Sequence, residues 1–377
     1  MTPLSDTKRV VFTSKRVLAR STRRRALPTV VAALLVSALA STSALSLDTK
    51  PLEPRSRSIS AGSASAGIGS QLREFAIYAG RLLATSKRYS KLYVDPSGTA
   101  VEAAKNARKK GRTSVAKNIE VISKTAQARW FGDWNSTTTV RKSVASYISG
   151  ANKAKARPTL VLYAIPGRDC GNYSAGGFNK TSYQKWITEV AAGIKGSQPI
   201  IVLEPDSLAQ DCGNNTRNDL LKWATKKLTA AGAWVYLDGG HSNWRTPAEM
   251  AKRLKAAGIS EARGFATNVS NYNTPAKEKS YGTKIAAELK KLKVTTAHTN
   301  FVVDTSRSGK AVNSSEWCNR KGAGLGLAPK LVNDSTQLDG LLWIKRPGES
   351  DGTCNGGPQA GNWWEKGALE LVKNRAK

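Results

Sequence analysis

Short apolar runs alternate with amphipathic helical segments from Lys91 to the end of the chain. The apolar runs occupy residues 92–95, 128–134, 159–166, 200–206, 233–239, 264–270, 299–306 and 341–347. Helical periodicity lies between most of them, for example over 218–232 and 283–294. Continuously apolar strands separated by helices are typical of a parallel sheet that is covered on both faces. Seven or eight such units predict an α/β fold that closes into a parallel (β/α) barrel over residues 91–377.

Residues 1–45 have a different composition from the rest of the chain. They contain eight Lys or Arg residues and one acid, followed by an apolar run over 26–40 and the small-residue stretch STSALS. This order is typical of an export signal, and the apolar run is short for the alternative, a membrane anchor. Residues 46–90 are rich in Ser, Gly, Ala and Pro, which indicates a flexible spacer with a short basic helix. We therefore expect a secreted, extracellular protein with no transmembrane segment after signal removal.

The four cysteines are consistent with that compartment. An even number of cysteines in an oxidising environment favours two disulfides over a metal site. No Cys-x-x-Cys pair occurs and the chain has two histidines, so a zinc site has little support. These counts alone allow three disulfide connectivities.

The chain is strongly basic, with a formal net charge of +32. Without residues 1–45 it still carries 51 basic and 26 acidic residues. Such a charge attracts polyanions, including nucleic acid and anionic wall polymers. No nucleic-acid-binding motif accompanies the charge, and the lysines are spread over helices, which favours a solubilising coat. We expect no specific nucleic-acid partner, and electrostatic association with an anionic cell-wall polymer is a hypothesis.

Carboxylates follow the predicted strands with unusual regularity. Acidic and polar residues stand at these strand ends: Asp169, Glu204, Asp206, Asp238, Asn268, Asp304, Lys345, Glu349 and Asp351. The carboxyl ends of the strands of a parallel barrel converge on one face, where active sites lie. One acid after one strand is ordinary capping, whereas acids after five strands indicate a site.

Most hydrolytic chemistries lack the residues they need in this chain. The chain has only two histidines, which gives little support to a Ser–His–acid or metal-dependent hydrolase. The glycine-rich stretch 322–329 does not follow a recognisable strand, so a phosphate-binding loop is weakly supported. Glycoside hydrolysis needs two carboxyl groups, one of them kept protonated, and no cofactor or metal. Tryptophans near the strand ends or in loops suit sugar stacking, although each alone is as consistent with core packing.

Several stretches resemble glycoside hydrolase family 6, a family of inverting cellulases. The resemblance lies first in VLYAIPGRDCGNYSAGG (161–177) and IIVLEPDSLA (200–209). Four further stretches match in the family's order, at 235–244, 302–309, 317–326 and 343–354. The resemblance covers about residues 91–377. It implies a distorted parallel (β/α) barrel of about seven strands, a single catalytic domain, that cleaves β-1,4-glucosidic bonds in cellulose or a related β-glucan.

The resemblance also implies roles for individual residues. Asp206 corresponds to the general acid, Asp169 to the aspartate that keeps it protonated and assists the water, and Asp351 to the position usually proposed as the base. The remaining positions support the cleavage subsite (Asp238, Asp304 and Tyr163), stack on sugar rings (Trp130, Trp244 and Trp317) or bind glucosyl hydroxyls (His241, Lys345 and Glu349). By neighbourhood in such a barrel, Cys170 is expected to pair with Cys212 and Cys318 with Cys354.

The mode of attack is predicted from loop length. Family members that thread chain ends through a tunnel carry long insertions, and here the segments 170–212 and 351–367 are short. We therefore predict an endoglucanase, active as a monomer. The alternatives are an exo-acting cellobiohydrolase and a non-catalytic glucan-binding barrel. No separate carbohydrate-binding module is visible, which favours soluble or amorphous glucan as substrate.

Overall fold

The computed structural model describes residue 89 and residues 91–194, 196–212, 215–311 and 315–376. The predicted export signal lies outside the described residues, as does the predicted spacer except for Tyr89. Tyr89 is buried, and its hydroxyl donates a 2.7 Å hydrogen bond to Asn152 Oδ1.

The domain is built on one curled sheet of eight strands in the order β1-β2-β3-β4-β5-β6-β8-β7. Strands β1 to β6 and β8 pair in parallel, and the two-residue β7 lies antiparallel on β8. The strands are β1 Arg129–Gly132, β2 Thr159–Tyr163, β3 Ile200–Leu203, β4 Trp234–Asp238, β5 Gly264–Thr267, β6 Asn300–Asp304, β7 Lys330–Leu331 and β8 Leu338–Leu342. The parallel α/β barrel class predicted from the sequence is confirmed.

The barrel closes without a regular ladder between β1 and β8. At this seam the backbone N–H of Ala128 donates to Trp343 O at 2.9 Å. The indole N–H of Trp130 donates to Ile344 O, also at 2.9 Å. Two bonds in place of a ladder make the barrel distorted, and they still hold the carboxyl ends of all parallel strands on a common rim.

Helices cover the outside of the sheet. In the described residues they are α1 Thr99–Lys109, α2 Thr113–Ser123, α3 Val140–Lys153, α4 Lys180–Ile194, α5 Asn215–Ala230, α6 Pro247–Ala256, α7 Pro275–Lys291 and α8 Glu365–Lys373. Both α6 and α7 begin with a threonine N-cap followed by proline, a favourable order because proline has no N–H to leave unpaired. None of the described helices has the length and apolarity required to cross a bilayer.

Three predicted elements differ from those observed. Residues 92–95 form no strand; Leu92 makes an isolated bridge with Arg157, and the chain then turns at Pro96 and Ser97. The predicted strand 341–347 is wrong in its bounds, since β8 ends at Leu342 and its apolar continuation forms the barrel seam. Helix α7 begins at Pro275, earlier than the predicted 283, because the Thr-Pro start signal precedes the apolar periodicity.

Apolar packing fills the barrel, and an aromatic–cation stack closes the amino end of its strands. The interior is formed by alternate strand residues, among them Val161, Val202, Tyr236, Ala266 and Val302. The guanidinium groups of Arg157 and Arg263 lie 3.7 and 3.8 Å from the ring centre of Trp234. Arg263 also pairs with Asp339 at 2.7 Å. The stack thus covers the amino end of the barrel interior.

Candidate active site

The carboxyl rim contains a cluster of strained backbone positions. Positive φ angles occur at Asp169 after β2 (60°), at Glu204 and Asp206 after β3 (50° and 68°), and at Asn268 and Ser270 after β5 (64° and 56°). Non-glycine residues in this conformation cost free energy and concentrate at functional sites. The rim is therefore the candidate active site on backbone grounds as well as on residue type.

Asp206 lies at the end of β3 with its carboxyl group half-buried. Its backbone N–H donates to Asp238 Oδ2 at 2.8 Å, and no described residue hydrogen-bonds its side-chain oxygens. Burial raises the pKa of Asp206 well above its usual range, and the negative charges of Asp238, Asp169 and Asp351 raise it further. The carboxyl group therefore retains its proton to higher pH than an ordinary aspartate and is placed to donate it.

Glu204, two residues earlier, has a different function. It is fully buried, and its Oε2 accepts hydrogen bonds from the backbone N–H groups of Ala164 (2.9 Å) and Ile165 (3.0 Å). Burial raises the pKa of Glu204 to about 7. The two acids after β3 thus differ in role. Glu204 connects the ends of β3 and β2 through its hydrogen bonds, whereas Asp206 lies at the rim.

Asp169 is connected to Asp206 through one glutamine. Asp169 Oδ2 accepts from the N–H of Ser174 at 2.7 Å, and Oδ1 accepts from Gln210 Nε2 at 3.4 Å. The backbone N–H of Gln210 in turn donates to Asp206 O at 3.0 Å. Burial raises the pKa of Asp169. The predicted disulfide Cys170–Cys212 is confirmed; it closes a segment that contains Asp206 and begins at the residue after Asp169.

Asp351 is held as an ion by the protein itself. Its oxygens contact Arg307 Nη1 at 2.7 Å and Lys345 Nζ at 3.0 Å, and accept from Tyr272 Oη and Asn319 N at 3.0 and 2.9 Å. Burial alone would raise the pKa of Asp351, but the charges of Arg307 and Lys345 hold it well below its usual range. A carboxylate in such surroundings is a weak proton acceptor. The second predicted disulfide, Cys318–Cys354, is confirmed beside it.

The two further aspartates on the rim are fully buried. Asp238 Oδ2 accepts from the N–H groups of Asp206 and Gly240, whereas Oδ1 has no partner among the described residues. Burial raises the pKa of Asp238 to about 7. Asp304 accepts four backbone hydrogen bonds, from Ser270, Ser306, Ile344 and Lys345, and so ties the loops after β5, β6 and β8 together.

The predicted aromatic positions lie on strands or in loops of the same barrel. Trp130 and Tyr163 form an edge-to-face pair with ring centres 5.5 Å apart, and no described residue hydrogen-bonds the Tyr163 hydroxyl. Trp244 and Trp317 are 36% and 45% exposed, so their rings are accessible for stacking on a sugar ring. His241 lies 5.5 Å from the Trp244 ring. Burial lowers the pKa of His241 to about 4, so its imidazole is neutral at neutral pH.

The other two predicted sugar ligands are engaged by the protein. Lys345 Nζ contacts Asp351 and donates to Ser350 O at 3.2 Å. Glu349 Oε1 accepts from Thr99 Oγ1 at 2.8 Å and pairs with Arg346, also at 2.8 Å. The structure therefore places Lys345 beside the acid cluster and Glu349 against the start of α1.

Sequence reasoning missed the cations and amides that organise the rim. Arg307, Asn319 and Gln210 were not proposed, although Arg307 lies in the stretch 302–309 and Asn319 in 317–326. The signal available was their position inside those stretches, next to acids that the pattern had already singled out. A search restricted to carboxylates and aromatics passes over them.

Comparison with known proteins identifies the family of this chain. The family model described as glycosyl hydrolases family 6 matches residues 87–375. Endoglucanase A of Cellulomonas fimi is 46% identical over 76% of this chain and 61% of its own length. Endoglucanase 1 of Streptomyces halstedii is 38% identical over 74% of this chain and 88% of its own.

A solved structure with the same fold has a bound ligand. It is the endoglucanase Cel6 from Mycobacterium tuberculosis in complex with methyl-cellobiosyl-4-deoxy-4-thio-β-D-cellobioside, 39% identical to this chain, with a TM-score of 0.69 over 76% of this chain and 97% of that one. The chain spans 61% of the length of the Cellulomonas relative, so these comparisons concern the barrel domain. On the family match, the identities and the fold, this chain belongs to glycosyl hydrolases family 6.

Proposed function

We propose that the chain is a secreted, inverting endo-β-1,4-glucanase that hydrolyses internal bonds of cellulose or a related β-glucan. The observation that carries the proposal is the Asp206 carboxyl group, which is free of protein hydrogen bonds from the described residues and kept protonated by burial and by three neighbouring aspartates. A protonated acid at the rim of a family 6 barrel is the group that such hydrolysis requires. Endoglucanases among the most similar relatives support the substrate class.

In the proposed reaction Asp206 transfers its proton to the glycosidic oxygen as the bond from that oxygen to the anomeric carbon breaks. A water molecule bonds to the anomeric carbon from the opposite face, and its proton passes towards Asp169. Inversion follows because bond making and bond breaking occur on opposite faces, with about 6.5–9.5 Å between the acid and base sides for the water. Asp206 remains as a carboxylate until it regains a proton from solvent.

Asp351 supports this reaction as an ion rather than as the base. Its two oxygens are occupied by two cations and two further donors, so its affinity for the proton of the water is low. Its charge still raises the pKa of Asp206. We therefore propose Asp169, whose pKa burial raises, as the acceptor side, and Asp351 as an electrostatic support.

The endo mode rests on the same short loops that suggested it. The segments 170–212 and 351–367 are short, and the first of them is closed by the Cys170–Cys212 disulfide at a sequence separation of 42. An open rim admits the middle of a polymer. The alternative, exo action from chain ends, requires an enclosed path.

The test combines two assays, each applied to two soluble substrates. Hydrolysis of carboxymethylcellulose and mixed-linkage β-glucan is followed by reducing ends and by viscosity, with the Asp206→Asn variant beside the wild type. The proposal expects rapid viscosity loss per bond cut, no turnover by the variant, and binding of cellotetraose by the variant at wild-type strength. Proton NMR of the first products should show the α-anomer. Turnover by the variant, or cellobiose release with viscosity preserved, contradicts the acid assignment or the endo mode respectively.

A further inference from the structure

Tyr173 is an aromatic residue at the surface that contacts two separate loops. It lies in the loop after β2, four residues after Asp169, and is 51% exposed. Its ring centre lies 6.0 Å from that of Trp317, with an angle of 51° between the ring planes. Trp317 belongs to the loop after β6, which also carries Cys318 and Asn319. The ring pair therefore joins a loop beside one aspartate to a loop beside another.

The contact extends to the residue that follows Asp351. A Cβ atom at Gly352 would lie 2.5 Å from Tyr173 Cγ and 2.8 Å from Tyr173 Cβ. Only a glycine leaves room for Tyr173 to pack this closely against the backbone of 352. Tyr173 thus packs against two groups on the Asp351 side of the rim, the ring of Trp317 and the backbone of Gly352.

The other end of the connection is Asp169. The residue after Tyr173 is Ser174, whose backbone N–H donates the 2.7 Å hydrogen bond to Asp169 Oδ2. Movement of Tyr173 therefore moves the donor that orients Asp169. The remaining side-chain bond to Asp169, from Gln210, is longer at 3.4 Å.

We infer that Tyr173 is a positioning residue: packed on Trp317 and Gly352, it fixes the Asp169 loop relative to Asp351 and to the Trp317 platform. This inference rests on the proposed function, in which Asp169 receives the proton of the attacking water. The ring is what acts, because no described residue hydrogen-bonds the Tyr173 hydroxyl. The interaction energy of such an aromatic pair corresponds to a factor of about three to ten in rate. Truncation of the Tyr173 side chain is therefore expected to lower the rate by that factor.

The test is a pair of variants, Tyr173→Ala and Tyr173→Phe, assayed on soluble cellopentaose. Tyr173→Ala is expected to lower kcat by about threefold to tenfold with KM within about twofold of wild type, because the group lost orients Asp169 rather than binding sugar. Tyr173→Phe is expected to retain wild-type kcat. A rise in KM at unchanged kcat would make Tyr173 a sugar ligand and overturn the inference, as would unchanged kinetics of Tyr173→Ala.

Two further measurements separate this inference from the proposed function. In a Trp317→Ala background, Tyr173→Ala should cost less than in the wild type, since one support is already absent; full additivity would overturn the connection. Hydrogen exchange of the peptide 169–177 should accelerate in Tyr173→Ala and not in Tyr173→Phe, and equal exchange in both would overturn it without reference to activity. Failure of the wild type to cut β-glucans would instead refute the proposed function.

Discussion

The backbone N–H of Asp206 donates a 2.8 Å hydrogen bond to Oδ2 of the buried carboxyl group of Asp238. The residue that fixes the positive-φ turn of Asp206 is thus also a source of the negative charge that raises the pKa of Asp206. The backbone conformation of Asp206 and its pKa therefore both depend on Asp238. The other oxygen of Asp238 has no partner among the described residues, so an amide can replace the carboxylate without loss of the observed bonds.

The variant Asp238→Asn should shift the basic limb of the pH–rate profile. The amide oxygen can still accept the N–H of Asp206, but the negative charge is gone, so the pKa of Asp206 falls towards its usual value. An acid catalyst loses activity as the pH rises through its pKa, and the basic limb of kcat/KM therefore moves to lower pH. The measurement is the pH dependence of kcat/KM on a soluble glucan.

The exposed Asp334→Asn is a matched control, because it makes the same chemical change far from the strand ends that carry the acids. Its profile should coincide with that of the wild type. A basic limb of Asp238→Asn that stays in place, or that moves to higher pH, contradicts the assigned source of the shift.

The variant Asp351→Asn should lose both stability and rate, yet keep the acidic limb of the profile. It leaves Arg307 and Lys345 near each other without their shared anion, and loss of one partner of a buried ion pair costs about 3–5 kcal/mol. Because Asp351 is ionised far below the working range, it does not set the acidic limb. Thermal unfolding and kcat/KM against pH measure the two effects.

Asp169→Asn provides the comparison for that profile. If Asp169 receives the proton, its variant lacks the acidic limb that Asp351→Asn retains. The reverse pattern, with the limb lost only in Asp351→Asn, identifies Asp351 as the base and refutes the proposed division of roles.

Glu204 makes folding stability depend on pH. Its pKa in the folded protein, about 7, is above the unfolded value, so its contribution is fully present below about pH 4 and is lost as the pH rises towards 7. Glu204→Gln lacks this loss, and its free energy of unfolding relative to wild type should increase between about pH 4 and 7.

Glu204→Ala leaves the N–H groups of Ala164 and Ile165 unpaired, at a cost of about 1–3 kcal/mol each. Urea unfolding at both ends of this pH range checks the signs, and a Gln variant that parallels the wild type contradicts them.

The sequence predicted the fold, and the location of the acids after the strands, because both are local patterns. Each strand is an apolar run and each acid directly follows one, so a parallel barrel brings Asp206 and Asp238 together without further information. The sequence pattern does not contain the direction in which each side chain points. Glu204 and Asp206 are two residues apart and look alike in sequence, and the directions of their side chains depend on the positive φ angle that each residue adopts. The engagement of Asp351 by Arg307 likewise depends on a contact 44 positions distant in the chain.

The outer face of α5 to α7 should bind anionic polymers in a salt-dependent way. It and the turn after α7 carry eleven exposed lysines, of which only Lys291 is paired with an acid among the described residues: Lys222, Lys226, Lys227, Lys252, Lys255, Lys277, Lys279, Lys284, Lys290, Lys291 and Lys293. We propose that this face retains the enzyme on an anionic wall polymer. Retention on immobilised polyanion should fall steeply between about 0.05 and 0.5 M salt, where screening strengthens.

A charge variant locates the binding surface. Lys226, Lys227, Lys290 and Lys293 changed to glutamine should weaken retention more than the same change at Lys109, Lys110, Lys117 and Lys142, which are also exposed but lie on or directly after the first three helices. Equal weakening by both sets assigns retention to total charge, and salt-independent retention refutes an electrostatic origin.

Removal of the two disulfides should have similar effects on stability and different effects on catalysis. The bridges close segments of 42 and 36 residues, for which chain entropy predicts about 4 kcal/mol each.

The Cys318–Cys354 loop is held a second time by Asn319, which donates to Gly352 O at 2.8 Å and accepts from Asp351 N at 2.8 Å. The Asp169 carboxylate, in contrast, accepts the 3.4 Å hydrogen bond from Gln210 and the bond from the Ser174 N–H within its own loop. The paired variant Cys170→Ala/Cys212→Ala should therefore lose more kcat than Cys318→Ala/Cys354→Ala at comparable loss of melting temperature, both measured below the lower transition. Equal losses of kcat would show that Asn319 adds nothing to the placement of Asp351, and a larger loss in the second pair would place the catalytic dependence on the Asp351 loop.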